Sequence, residues 1–186
     1  MNKLVNLLKK QTIDSHKWVD NIISEFPEDK WFETPEIIET NIAWQIGHLT
    51  LSLYYYNIVL IGSPQEDISN EINVKKYSEF FMSGEKRNEI ETEFTLETIL
   101  KNWELLKEKA IEFISKLTDE DLESEIFKLP KEHPFAKTKE DALSWNIKHT
   151  MWHCGQIATL KRIVDKPFDL TIKKKTENKS VIESSN

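Results

Sequence analysis

Six prolines, Pro27, Pro35, Pro64, Pro130, Pro134 and Pro167, cut this chain into long proline-free stretches in which apolar residues return every three or four positions. A proline inside a helix costs about 3 kcal/mol, and a three-to-four period belongs to a helix with one buried face. The pattern therefore predicts helices joined at the prolines. The first segment, residues 2–26, carries Leu4, Leu8, Val19, Ile22, Ile23 and Phe26 on one side. The second starts near Ile37 and runs to Ile61, ending at Gly62 and Pro64, a helix-stop signal. The third opens at Thr95 as N-cap and repeats Leu96, Ile99, Trp103, Leu106, Ala110, Phe113 and Leu117, the seam of a bundle. The fourth begins at Thr138, with Asp141 placed for a capping box, and continues to about Val164.

No strand-length alternation with turn dipeptides appears, so the expected fold is all-α, a four-helix bundle with a long crossover connection between helices 2 and 3. That connection, residues 63–93, has room for a short helix around 74–82. A bundle domain is expected over residues 1–168. Residues 169–186 are polar and aperiodic and are read as a flexible C-terminal tail, its Lys173 to Lys175 run solvated.

Of the 186 residues, 39% are hydrophobic, enough for a sizeable core, and the formal net charge of −7 gives a surface that repels phosphate backbones. Nucleic-acid binding is disfavoured. The most apolar stretch, 42–61, contains Gln45, His48, Thr50, Ser52 and Asn57, so it reads as a buried helix and not a membrane span. The first residues lack the apolar run and cleavage site of a secretory signal. With these features and one cysteine, Cys154, a cytoplasmic location is expected, without an intrachain disulfide or a thiolate-only metal cluster.

Chemistry concentrates in the histidines. His149 and His153 lie four apart on the fourth helix, so one face presents both imidazoles to a single ion. The residues between them are Thr150, Met151 and Trp152, which removes the glutamate base of an H-E-x-x-H peptidase. His48 sits mid-helix between Ile46 and Leu49, where an unpaired imidazole is costly to bury. Gln45, His48, Ser52 and Tyr55 form one polar stripe, and Trp145, His149, Trp152, His153 and Gln156 another. The two stripes are expected to face each other across a small, partly wet cavity. A buried hydrogen-bond network without metal would have the same pattern. His16, near the apolar face of the first helix, is a candidate extra ligand or supporting group, though a satisfied, partly buried histidine is the simpler reading. His133, in a proline-bounded loop, reads as a surface residue, and Cys154 as packing.

NIAWQIGHL in the second helix, together with HTMWHCGQI in the fourth, resembles the DinB-like metal-binding bundle superfamily, over about residues 4–164. The resemblance implies a four-helix bundle, often dimeric, holding a divalent nickel or zinc ion on a histidine triad, which falls here on His48, His149 and His153. Three neutral imidazoles leave an ion its full double charge and open positions, which suits catalysis. Some relatives use a low-molecular-weight thiol, such as bacillithiol or mycothiol, for S-transfer or isomerisation. The resemblance thus implies a metal-dependent transferase acting on a small-molecule substrate, as a homodimer, with pocket candidates Gln45, Tyr55 and Gln156. Two alternatives stay open: a hydrolase using water as nucleophile, and a non-catalytic metal-binding or dimerisation module.

Overall fold

The computed structural model describes residues 2–169. The expected tail lies, from residue 170 on, outside the described residues, the lysine run included. The elements are α1 (Lys3–Ile23), α2 (Ile42–Tyr54), α3 (Glu66–Glu71), α4 (Val74–Phe81), α5 (Ile90–Glu93), α6 (Leu96–Ser115), α7 (Asp119–Leu122) and α8 (Lys139–Val164). The fold is all-α: among the described residues the one β-type pairing is an isolated bridge between Glu125 and Thr138. Each of the four long helices packs on two others, α1 on α8 and α6, and α2 on α6 and α8. No helix among the described residues is long and apolar enough to cross a membrane.

Local chemistry sets the boundaries. Thr138 and Asp141 form the expected capping box, with Asp141 N donating to Thr138 Oγ1 at 3.2 Å and Thr138 N to Asp141 Oδ2 at 3.0 Å. Thr95 caps α6 by accepting from Thr98 N. Asp119 of α7 caps α1 from a distance, its carboxylate accepting from the backbone N–H groups of Lys3, Leu4 and Val5, the unpaired donors of a first turn.

The second helix departs from expectation at both ends. It starts at Ile42 instead of near Ile37, because extended Asn41 takes the cap position and accepts from Trp44 N at 2.8 Å. Ile37 is 80% exposed and buries nothing that would draw it into the helix. Beyond Tyr54 the helix widens into a π turn, Tyr55–Val59, closed by Leu60 N donating to Tyr55 O at 2.8 Å. The extra residue in that turn brings consecutive side chains, Tyr56 and Asn57, to partners on the α8 side, His133 and Asn146. The 63–93 connection holds three short helices where one was expected, and its α4 packs on α2.

His16 is not part of the cavity described below. It lies buried on α1 with its ring edge-on to Trp103, centroids 5.5 Å apart, and its Nε2 meets no hydrogen-bond partner among the described residues. Burial lowers its pKa to about 4, Lys107 on α6 adds to the effect, and Asp20 on α1 opposes it. A histidine kept neutral in the fold while the unfolded chain protonates near 6.5 lends stability that is complete above pH 6.5 and lost as pH falls towards 4, an effect of about 3 kcal/mol. His16→Phe keeps the ring against Trp103 and removes the titration. Denaturant melts are expected to show the variant gaining on the wild type between pH 7 and pH 4.5. A stability difference independent of pH would contradict the assignment.

Candidate metal centre

His48 from α2 meets His149 and His153 from α8 where the two helices pack. His149 Nε2 stands 3.3 Å from His48 Nε2 and 3.0 Å from His153 Nε2. One ligand atom from each lies within 4.8 Å of the others, and the three form a group able to hold a metal ion.

The outer nitrogens explain why the inner ones converge. His48 Nδ1 donates to the Phe81 carbonyl at 2.8 Å. The Ser52 hydroxyl donates to Asn146 Oδ1 at 2.7 Å, so its oxygen accepts from His149 Nδ1 at 3.1 Å. Gln45 turns its carbonyl oxygen to His153 Nδ1 and its amide N–H groups to Thr40 Oγ1 and Gln156 Oε1, both at 3.0 Å. With every Nδ1 carrying the proton, each Nε2 presents a lone pair inward. Lone pairs this close repel unless a cation is shared. Two imidazole nitrogens bound to one tetrahedral ion at about 2.0–2.1 Å sit about 3.3 Å apart. The donor set and its spacing therefore fit a divalent ion.

Electrostatics keep the rings neutral. Burial lowers all three pKa values: His149 to about 4, with His48 contributing, His153 to about 3, with both other rings contributing, and His48 less, because its bond to the Phe81 carbonyl opposes the shift. Trp44 stacks on His48 at 4.8 Å and 18°, and Trp145 lies parallel to His149 at 6.2 Å and 11°.

A cavity of about 450 Å³ opens beside the triad, lined by His48, His149, Tyr55, Tyr56, Trp145 and Trp152 together with Leu51, Leu60, Met82 and Leu129. Of the pocket candidates, Tyr55 lines it, its hydroxyl 3.4 Å from Ser78 Oγ. Gln45 and Gln156 do not; they sit behind His153 and hold it. His133 corrects the surface reading: it is half-buried, lines the cavity and meets Tyr56 OH at 3.0 Å. Cys154 is buried as packing, and burial pushes its thiol up to about 12. Ser52 was expected on the polar stripe, and the structure gives it a role there, holding His149. Asn146 and the Phe81 carbonyl were not singled out as site groups, and Tyr56 stands eight residues after His48, a spacing that marks it for the same side.

No curated protein matches the chain. A family model described as the DinB superfamily matches residues 13–157, a span that runs from α1 into α8 and takes in all three histidines. On a match covering most of its length, the chain belongs to the DinB superfamily.

Proposed function

We propose that this protein is a metal-dependent enzyme in which a nickel or zinc ion held by His48, His149 and His153 serves the attack of a low-molecular-weight thiol on a small electrophile. The observation that carries the reading is the convergence of three Nε2 lone pairs whose Nδ1 atoms are each tied to a separate partner. When bound, such an ion supplies a full positive charge that makes a thiol acidic enough to act as a nucleophile at neutral pH.

The chain's own groups supply the rest. Phe81 O, Ser52 and Gln45 fix the three rings, so no reorganisation is needed on loading. Leu51, Leu60, Met82, Trp145 and Trp152 give an apolar wall to the space where sulfur and electrophile would meet. Cys154 is buried with a raised pKa, so the transferred sulfur comes from a separate molecule. In the transfer the thiol gives its proton to solvent water, its sulfur bonds to the electrophilic carbon, and the bond from that carbon to the leaving group breaks with the electron pair going to the leaving group. The open cavity beside the rings favours catalysis over a closed structural site, which takes four protein ligands.

The test is metal content by mass spectrometry on protein purified without a nickel column. The wild type is expected to hold about one equivalent of nickel or zinc and the His48→Ala/His149→Ala variant almost none. Turnover of electrophiles by the loaded wild type should then require added thiol. Metal-free wild type that takes up neither ion would overturn the reading, and turnover without thiol would replace transfer by hydrolysis.

A further inference from the structure

Tyr56 and His133 form a pair that holding an ion does not require. His133 stands in the loop before α8, where its Nδ1 accepts the backbone N–H groups of Phe135 at 3.2 Å and Ala136 at 2.9 Å. A nitrogen that accepts two N–H groups carries no proton, so in the neutral ring the proton is on Nε2. That N–H donates to the Tyr56 hydroxyl oxygen at 3.0 Å. Burial lowers the His133 pKa, in agreement with a neutral ring.

The phenol oxygen is the acceptor in this bond, and its own proton is left over. Among the described residues, no acceptor for that proton is found. Tyr56 lines the cavity together with His48 and His149, its ring centroid 6.4 Å from that of His149. The surrounding wall is aliphatic and aromatic, from Leu51, Leu60, Met82, Leu129 and Trp152. A fixed donor in an apolar space discriminates strongly, because a molecule without an acceptor leaves the donor unpaired.

We propose that the cavity takes a small molecule with an apolar or aromatic body and an oxygen acceptor, a carbonyl or an oxyanion, and that Tyr56 is the donor that binds this oxygen, with His133 as its positioning residue. As a substrate class for the triad this rests on the reading of a metal-dependent enzyme; the donor itself does not.

Acetophenone and α-methylstyrene have the same shape and differ in one respect, a carbonyl oxygen in place of a methylene. Their dissociation constants, measured by ligand-observed NMR on metal-free and on zinc-loaded protein, isolate the acceptor. The wild type is expected to prefer acetophenone about tenfold in both states. In the metal-free protein, Tyr56→Phe should abolish the preference and leave α-methylstyrene binding unchanged. His133→Ala should cut the preference several-fold, and Tyr56→Phe added to it should lower it no further than Tyr56→Phe alone. Equal affinity of the two probes for the wild type, absence of binding included, overturns the proposal. So does a preference that survives in metal-free Tyr56→Phe. Since the metal-free protein reports on Tyr56 alone, failure of zinc loading would sink the enzyme reading without touching this one.

Discussion

Gly47→Ala is expected to lower the melting temperature, although alanine is the better helix former by up to about 1 kcal/mol. A Cβ at this position would lie 2.3 Å from two ring atoms of Phe81, far inside contact distance. The ring cannot retreat: Phe81 is fully buried and packs against Tyr77 at 4.8 Å and Phe94 at 4.9 Å. Overpacking of this kind costs about 1–3 kcal/mol, and with no free volume the upper end applies. The net loss of about 2 kcal/mol corresponds to about 4–8 °C for a domain of this size. Gly155→Ala is the control. It sits in α8, two residues after His153, and nothing stands within 4 Å of an added Cβ. There only the propensity gain remains, so the melting temperature should rise by about 2–4 °C. The two variants also separate at the metal centre. Displacing Phe81 moves the carbonyl that anchors His48 Nδ1, so Gly47→Ala should weaken zinc binding about tenfold, while Gly155→Ala leaves it unchanged. Equal melting-temperature shifts of the same sign in calorimetry, or equal zinc affinity, would contradict the role given to Phe81.

What the sequence made legible follows from how far each determinant reaches along the chain. The Thr138–Asp141 box and the Thr95 cap are satisfied within three residues, so they could be read without the fold. The His149–His153 pair was legible for a related reason, as neighbours on one helix, whereas His48 was joined to it through the resemblance carried by NIAWQIGHL and HTMWHCGQI. The start of α2 was misplaced because Ile37 and Ile38 extend the apolar pattern backwards, whereas Asn41 ends it by bonding Trp44 N. Nothing local announces the π turn at Tyr55–Val59, and the turn decides which of three successive tyrosines meets His133. That contact joins positions 77 apart in sequence, and the Ser52–Asn146 bond joins positions 94 apart. Groups that support a ligand through such distant partners carry no spacing signature. Gln45 and Gln156 were picked out by their stripes, but only the packing of α2 on α8 shows them bonded to each other behind His153.

The same supporting groups give a graded prediction for metal affinity. Gln45 is 1% exposed, and Gln45→Leu keeps its bulk while leaving the His153 Nδ1 proton without an acceptor. Ser52→Ala does the same to His149 and also strips Asn146 Oδ1 of its donor. Loss of one such outer bond costs about 10–100-fold in metal affinity, because the ring turns freely and its inner nitrogen is less basic. Zinc dissociation constants from chelator competition should show that loss for each single variant. The two substitutions act on different rings, so their effects should multiply in the double variant. Loss of packing alone predicts the same fall in stability but no dependence on which group is introduced, and Gln45→Glu separates the two causes. A carboxylate accepts from the His153 Nδ1 proton more strongly than an amide does and adds a negative charge behind the ligand. It also loses the donors to Thr40 and Gln156 and places that charge in a buried position. Gln45→Glu should therefore be less stable than the wild type when metal-free, yet bind zinc at least as tightly. If it bound zinc as weakly as Gln45→Leu, Gln45 would be filling space behind His153 and not holding its tautomer.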